Sequence, residues 1–270
     1  MTKADLIDLI YTRKSCLSIG LDVDINLIPD HLIQQFDDPV FEFNKQIIDH
    51  TKDLCVCYKL NIAFYESRGV EGWTSLARTL EYIPKDIFTI ADAKRGDIGN
   101  TSRMYAQTFF DRYHFDSVTV SPYMGVDSVL PFLENKDKWV ILLALTSNKG
   151  SNDFQHHTDQ DGVPLYLEVI RTSQTWEGSD RIMYVVGATH PGHLAEIRKS
   201  IPDQFLLIPG VGAQGGSVEE VMKAAHVPGT CGLLINSSRG IIYAGKGEDF
   251  AADARKEAYI LQQKMEEFLG

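Results

Sequence analysis

Eight short apolar segments recur along the chain, and longer amphipathic segments separate them. The apolar segments are 16–22, 56–61, 86–94, 116–122, 139–145, 182–189, 205–210 and 231–238. The amphipathic segments include 41–54, 102–113, 126–133, 165–176, 217–226 and 253–269. Nearly continuous apolar strands that alternate with helices are typical of a parallel sheet covered by helices. Eight such units predict an α/β protein with a single closed (β/α)8 TIM barrel.

The length of the chain agrees with one large domain. Barrels of this type routinely reach about 200 to 250 residues or more as a single unit, and this chain has 270 residues. Hydrophobic residues make up 44% and charged residues 23% of it, which is ordinary for a globular protein with a sizeable core. We find no linker-like segment, and we therefore expect one TIM-barrel domain over residues 1–270.

The charge balance argues against two classes of partner. A net charge of -11 repels phosphate backbones and acidic lipid surfaces, and no local basic patch offsets it. Asp5 and Asp8 interrupt the apolar residues near the N-terminus, and no apolar run approaches the length of a membrane span. We expect no nucleic-acid binding, no membrane binding, no signal peptide and no transmembrane helix.

Cysteine and histidine residues give no pattern typical of a metal site. The four cysteines, Cys16, Cys55, Cys57 and Cys231, lack CxxC or zinc-finger spacing, which indicates buried reduced thiols in a cytoplasmic protein. The histidine pairs His156–His157 and His190–His193 are possible metal ligands, but each pair lacks the further ligands that a site requires. We therefore predict no metal.

The segment 91–102, ADAKRGDIGNTS, places Asp92, Lys94, Arg95 and Asp97 within six positions. Because side chains alternate along a strand, Asp92 and Lys94 are expected to project to one side of the sheet. Charges at the end of a buried strand are costly to desolvate unless they are paired. The segment is either a structural ion pair or a site that uses the field of these charges.

Polar residues at the other predicted strand ends favour a site, because barrels of this class carry their chemistry there. The residues are Asp22 at the first strand, Lys59 and Asn61 at the second, Asp92 and Lys94 at the third, Ser121 and Pro122 at the fourth, and Thr146 and Ser147 at the fifth. Charged groups at three successive ends are hard to explain by folding alone. The long polar insertion 147–164 is a candidate active-site loop.

The glycine-rich segment 209–216, PGVGAQGG, formally matches G-x-G-x-x-G at Gly210, Gly212 and Gly215. A dinucleotide site is one interpretation, but no acidic residue ends the next strand. A simple phosphate site explains the segment better, because glycines let backbone N–H groups approach an anion. Arg239 follows the eighth predicted strand and adds a bidentate donor.

Together these motifs resemble the orotidine 5'-phosphate decarboxylase family. Segment 92–102 resembles its D-x-K-x-x-D-I signature, and GLDVD, YKLNIAFYE, SPYMG, LTSN, VGAT, PGVGAQGG and NSSRGIIYA accompany it in order across residues 16–243. The glycine and arginine segments resemble the longer bacterial branch, the type 2 subfamily. The D-x-K-x-x-D core also occurs in related barrel enzymes that act on sugar phosphates.

The resemblance implies a cofactor-free conversion of orotidine 5'-phosphate to uridine 5'-phosphate (UMP) in de novo pyrimidine synthesis. It implies that Lys94 protonates C6 as carbon dioxide leaves, with Asp92 beside the substrate carboxylate. Lys59 holds the charges together, and Asp97 reaches the site of the neighbouring subunit in a homodimer. A fixed ammonium group stabilises the carbanion that forms at C6. The four charges alternate in sign and are formally neutral, while Arg95 is expected to have a packing or surface role.

The same resemblance assigns the substrate-binding residues. The expected contacts are Asp22 and Lys59 on ribose hydroxyls, Thr101 on the partner's ribose, Ser147 on the pyrimidine edge, and Gln214 and Arg239 on the phosphate, with Pro122 and Gly212 completing the set. Two alternatives stay open at this point. One is a metal-dependent sugar-phosphate decarboxylase or aldolase-like relative, and the other is a noncatalytic nucleotide-binding protein.

Overall fold

The computed structural model describes residues 1–188, 191–211 and 216–270. Within these residues it contains eight strands: β1 (Leu17–Gly20), β2 (Cys57–Asn61), β3 (Phe88–Arg95), β4 (Ser117–Val120), β5 (Trp139–Leu145), β6 (Ile182–Val186), β7 (Leu206–Pro209) and β8 (Leu233–Ser237). Seven lie within the predicted segments, and β3 extends one residue beyond its segment, to Arg95. The strands form a closed barrel in the order β1-β2-β3-β4-β5-β6-β7-β8, and the pairings described between neighbours are parallel. The predicted (β/α)8 TIM barrel is confirmed.

Helices occupy the connections between the strands, and further helices precede β1 and follow β8. They are α1 (Lys3–Arg13), α2 (Asp30–Gln35), α3 (Pro39–Thr51), α4 (Ile62–Glu66), α5 (Gly69–Tyr82), α6 (Gly99–Ala106), α7 (Leu130–Leu133), α8 (Leu165–Ser173), α9 (Pro191–Ser200), α10 (Val218–Ala225), α11 (Arg239–Ile242) and α12 (Phe250–Leu269). A π-helical segment, Gln107–Arg112, continues α6, and 3-10 turns form at Ile25–Leu27, Val126–Ser128, Lys149–Asp153 and Ser179–Arg181. Among the described helices, none is long and apolar enough to cross a membrane.

The strands form where apolar and β-branched residues run without interruption. In β5, Val140, Ile141 and Leu142 are fully buried, so the sequence WVILLAL is covered on both faces. This burial pattern is typical of parallel sheets that helices cover. Helix α5 instead buries residues at helical spacing, with Leu76, Thr79 and Leu80 on its inner face.

The chain forms two compact units, of which the first comprises residues 1–93 and 236–270. Its helices α3 and α12 pack through stacked rings of Phe43 and Phe250, whose centroids are 4.8 Å apart. On α3, Asp38 caps the N-terminus by accepting from the backbone N–H of Phe41. Cys16, Cys55 and Cys57 are buried and form no disulfide bond in this unit, and burial raises the pKa of the Cys55 thiol to about 12.

The second unit comprises residues 94–235. Arg198 of α9 is only 8% exposed and donates to the backbone carbonyls of Ala225, Ile201, Gln204 and Gly232. Burial lowers the pKa of its guanidinium to about 10. This side chain therefore ties together the ends of several elements in the unit. Each unit is compact in itself, and the single domain over residues 1–270 stays a prediction.

Candidate active site

A lysine between two carboxylates lies at the ends of the first three strands. The Nζ atom of Lys59 lies 3.3 Å from Oδ1 of Asp22 and 3.1 Å from Oδ2 of Asp92. The side chain of Lys59 is 5% exposed, and those of Asp22 and Asp92 are 16% and 11% exposed. The strand register brings them together, because Lys59 pairs with Gly20 on β1 and Asn61 pairs with Asp92 on β3. These three predicted site residues therefore form one cluster.

The electrostatics of this cluster fix the charge of Lys59. Burial alone lowers the pKa of its ammonium group, but the carboxylates of Asp22 and Asp92 outweigh that effect, so the net pKa is raised above the ordinary lysine value. The ammonium group is therefore charged throughout the physiological pH range. A group held in this way acts as a fixed cation, because releasing its proton would break its ion pairs with both acids.

The last residue of β1 must be a glycine, because Ser238, which follows β8, lies close to it. A Cβ atom on Gly20 would lie 2.7 Å from Cβ of Ser238, whose hydroxyl donates to the Gly20 carbonyl over 3.0 Å. The carboxylate of Asp22 also accepts from the backbone N–H of Asn61, with 3.2 Å between the atoms. Close packing at Gly20 and the bond from the Asn61 N–H therefore hold the Asp22 carboxylate beside Lys59.

Lys94 occupies the end of β3 with an unusual backbone. Its φ of +50° lies in the left-handed region, which a residue with a side chain rarely adopts. Its N–H donates to Oγ1 of Thr119 on β4 over 2.9 Å, and the residue is exposed. Residues held in such backbone conformations cluster at functional sites. Because the strand geometry is irregular at this residue, the expectation that Asp92 and Lys94 share a face stays a prediction.

Asp97 and Thr101 lie beyond β3, in the second unit. Asp97 is half-buried; its Oδ1 atom accepts from the backbone N–H of Ile98 over 2.7 Å, and its carbonyl oxygen accepts from the hydroxyl of Ser102. Thr101 is exposed on the first turn of α6. Arg95 lies over the rings of neighbouring aromatic residues, at 5.1 Å from Tyr105 and 5.5 Å from Phe109, which agrees with a packing role.

Ser147 lies near the start of the insertion after β5, where Gly187 packs against it and Gln155 binds the preceding residue, Thr146. A Cβ atom on Gly187 would lie 2.9 Å from the Ser147 nitrogen, so only glycine fits there. The side-chain amide of Gln155 binds Thr146, accepting from its N–H over 2.8 Å and donating to its hydroxyl over 2.9 Å. The insertion is an ordered segment, with an isolated bridge between Thr158 and Pro164.

The remaining predicted residues are less completely described. Gly212 and Gln214 lie outside the described residues. Arg239 is exposed at the first position of α11, and Pro122 is half-buried and accepts the Gly125 N–H over 2.8 Å. Their substrate contacts therefore stay predictions.

The structure brings together one histidine from each predicted pair. The rings of His156 and His193 have centroids 5.5 Å apart, and Tyr166 packs against both. His190 lies outside the described residues. In the part of the chain that the structure describes, no group of three or more His, Cys, Asp or Glu residues could hold a metal ion.

A closed (β/α)8 barrel with a buried lysine between carboxylates at its strand ends belongs to the class of barrel enzymes that carry their chemistry there. The model of the orotidine 5'-phosphate decarboxylase / HUMPS family matches residues 16–254. The chain is 56% identical over 272 residues to an orotidine 5'-phosphate decarboxylase of Bacteroides fragilis, covering 100% of this chain and 98% of that protein. It is also 56% identical to that of Flavobacterium johnsoniae, with the same coverage.

A solved structure agrees with these relatives. The Leishmania donovani OMP decarboxylase structure is 35% identical, with a TM-score of 0.82, covering 97% of this chain and 100% of that chain. The chain therefore belongs to the orotidine 5'-phosphate decarboxylase / HUMPS family, as its motifs predicted. The interpretation of the protein as an enzyme, a carboxy-lyase, is confirmed.

Proposed function

We propose that this protein converts orotidine 5'-phosphate to UMP and carbon dioxide in de novo pyrimidine synthesis, without a cofactor. The observation that carries the proposal is the Asp22–Lys59–Asp92 cluster, with Nζ–O distances of 3.3 and 3.1 Å, next to the D-x-K-x-x-D segment. Relatives that are 56% identical over the full chain are named orotidine 5'-phosphate decarboxylases, which supports orotidine 5'-phosphate as the substrate.

In the proposed mechanism the two lysines have different tasks. Lys94 donates its proton to C6 as the bond to the carboxylate breaks, and its ammonium charge stabilises the developing carbanion. Lys59 stays charged and holds Asp22 and Asp92 in place. Because the charges are fixed before the substrate binds, the site needs little reorganisation during the reaction.

Substrate binding uses groups remote from C6. Asp22 and Lys59 bind ribose hydroxyls, Ser147 binds the pyrimidine edge, and Arg239 binds the phosphate together with Gln214. Pro122 and Gly212 complete the pocket. Binding energy from the phosphate, which does not react, is used to place the substrate carboxylate beside Asp92.

The active enzyme in this proposal is a cytoplasmic homodimer of single-domain subunits. Asp97 and Thr101 act in the partner's site. Exposed apolar side chains of the same unit support an interface: Ile98 is 50%, Met104 47%, Tyr123 90% and Met124 49% exposed. A contiguous patch of such side chains marks an interaction site on a protein surface.

Mixing two inactive variants tests the shared site. If Asp97 acts across the interface, Lys94→Ala and Asp97→Ala subunits form mixed dimers with one intact site. After complete exchange at equal amounts, about a quarter of wild-type activity should return. No recovery after exchange has been verified by native mass spectrometry would refute the shared arrangement.

An ultraviolet assay of orotidylate after dialysis against EDTA tests the proposed reaction. We expect the absorbance change of decarboxylation at an unchanged rate. Loss of activity in EDTA that magnesium restores would support the metal-dependent sugar-phosphate relative. Tight UMP binding with no absorbance change would support the noncatalytic nucleotide-binding protein.

A further inference from the structure

Two tyrosine hydroxyls bind the backbone of the loop that carries Asp22. The hydroxyl of Tyr65 donates to the carbonyl of Leu21 over 2.9 Å. The hydroxyl of Tyr243 accepts from the N–H of Asp24 over 2.7 Å and donates to the Asp22 carbonyl over 3.4 Å. Residues on both sides of Asp22, and Asp22 itself, are therefore held through their main chain.

A buried polar network orients the hydroxyl of Tyr65. Asn44 on α3 is fully buried, and its Nδ2 atom lies 3.0 Å from the Tyr65 oxygen and 3.1 Å from Oγ1 of Thr79 on α5. Because the phenol oxygen accepts from Asn44, its one proton points to the Leu21 carbonyl. Burial raises the pKa of Tyr65, so the donor stays protonated at physiological pH.

Tyr243 is held by packing rather than by a polar network. It follows α11, and its ring lies against that of Phe43 on α3, with centroids 5.8 Å apart. Burial raises the pKa of its hydroxyl to about 12, so this group is also a neutral donor at physiological pH. The two tyrosines come from separate elements of the first unit and converge on residues 21–24.

The carboxylate of Asp22 depends on this loop for its direction. Lys59 and the Asn61 N–H both reach its Oδ1 atom, at 3.3 and 3.2 Å. Oδ2 is then the oxygen that can accept from a substrate hydroxyl. A rotation of the backbone at residues 21–24 would weaken the contacts of Oδ1 and would at the same time turn Oδ2 away from the substrate hydroxyl.

We propose that Tyr65 and Tyr243 are positioning residues that set the preference of this enzyme for ribose hydroxyls through Asp22. The inference rests on the proposed function, in which Asp22 binds the ribose. Neither tyrosine touches the substrate in this proposal. Their effect appears only in how strongly a ligand with ribose hydroxyls is preferred over one that lacks them.

The test compares binding of UMP with binding of 2',3'-dideoxyuridine 5'-phosphate by calorimetry. Wild-type protein is expected to prefer UMP, and Tyr65→Phe or Tyr243→Phe should each reduce that preference roughly fivefold, the effect of one lost hydrogen bond. Asp22→Asn should reduce it at least as much. In Tyr65→Phe, Asp22→Asn should have a smaller further effect than in wild type, because the two act on one contact.

Tyr58→Phe is the matched control. Tyr58 is fully buried in the same unit, and its hydroxyl lies 2.8 Å from Oγ1 of Thr51 and donates to the Ile48 carbonyl, away from residues 20–24. It should lose stability as Tyr65→Phe does and keep the wild-type preference. Tyr243 is only half-buried, so its variant keeps the test available if Tyr65→Phe does not fold.

The outcomes separate this inference from the proposed function. If wild-type protein consumes orotidylate and prefers UMP while both tyrosine variants keep that preference, the inference is wrong and the proposed function stands. An Asp22→Asn variant with unchanged preference overturns both the inference and the ribose contact that the proposed function gives to Asp22, while activity on orotidylate would leave the proposed reaction standing. If wild-type protein neither binds UMP nor consumes orotidylate, both are wrong.

Discussion

Lys59 and Lys94 lie on neighbouring strands, but they differ in side-chain exposure and in backbone conformation. Lys59 is 5% exposed, with carboxylate oxygens 3.1 and 3.3 Å from its nitrogen. Lys94 is exposed and has a φ of +50°. Lys59 is thus a buried cation between two carboxylates, whereas Lys94 lies at an exposed strand end with a left-handed backbone. The D-x-K-x-x-D pattern contains Lys94 but not Lys59, so this difference between the two lysines cannot be read from it.

The backbone shows the same contrast. Lys59 pairs regularly with Gly20 on one side and Ile90 on the other. At Lys94 the left-handed conformation costs about 1–2 kcal/mol, which the rest of the fold must offset. We infer that stability favours the conformation of Lys59, whereas the conformation of Lys94 serves the reaction.

The largest expected effect is on catalysis by Lys94→Ala. Removing both the proton donor and the charge that stabilises the carbanion should lower kcat by about 10⁴-fold or more. Binding of UMP should change only a few-fold. The orotidylate assay and UMP calorimetry measure the two quantities, and a kcat within tenfold of wild type would refute the role of Lys94.

Lys94→Ala is expected to affect kcat most, whereas Lys59→Met is expected to affect stability most. It removes the buried cation from between the partly buried Asp22 and Asp92 and breaks both ion pairs, which should lower the free energy of unfolding by about 3 kcal/mol. Lys94→Met, at an exposed position, should lower it by less than about 1 kcal/mol. Urea denaturation of both variants tests the contrast, and equal losses would contradict it.

Arg239→Ala probes a charge remote from the reacting carbon. If phosphate binding energy is used to position the substrate, kcat/KM should fall by about 10²-fold, well beyond the roughly fivefold effect of one hydrogen bond. Unchanged kcat/KM would show that Arg239 does not bind the phosphate.

The stability difference between wild type and Lys59→Met should depend on pH in a defined direction. The pKa of Lys59 is raised in the folded state, so its contribution is fully present below the unfolded lysine pKa of about 10.4. The difference should stay constant from about pH 6 to 9 and shrink above about pH 10.4. A difference that shrinks below pH 9 would contradict the raised pKa.

The smallest effect is expected at an exposed ion pair. Arg255 contacts both carboxylate oxygens of Asp53 at 2.7 Å, but the two side chains are 43% and 57% exposed. Arg255→Ala should therefore change stability by less than about 1 kcal/mol and leave kcat unchanged. A loss of stability as large as that of Lys59→Met would show that burial does not decide how much an ion pair contributes to the stability of this protein.

Apolar runs predicted all eight strands because buried parallel strands carry an unbroken pattern. The helix predicted over 102–113 is α6 followed by a π-helical segment, a change of hydrogen bonding that side-chain periodicity does not encode. Helices α1, α2, α4, α5, α9 and α11 lie outside the predicted amphipathic segments. Four of them, α2, α4, α9 and α11, have ten residues or fewer, so each gives only a short periodic pattern.

Sequence reasoning reached Asp22, Lys59 and Asp92 because charges at strand ends stand out against apolar runs. It missed Tyr65 and Tyr243, since a tyrosine among apolar residues reads as ordinary core. The function that we infer for them depends on backbone carbonyl and N–H groups, which carry no sequence signal. The left-handed backbone of Lys94 was not predicted either, because a backbone conformation carries no signal in the side-chain pattern.

A crystal structure of the protein with bound UMP tests the central claim most directly. The account predicts Nζ of Lys94 within about 3–3.5 Å of C6, the distance of a reactive pair. Lys59 should remain between Asp22 and Asp92. UMP bound with C6 remote from Lys94, or with Lys59 separated from its two acids, would contradict the division of tasks between the two lysines.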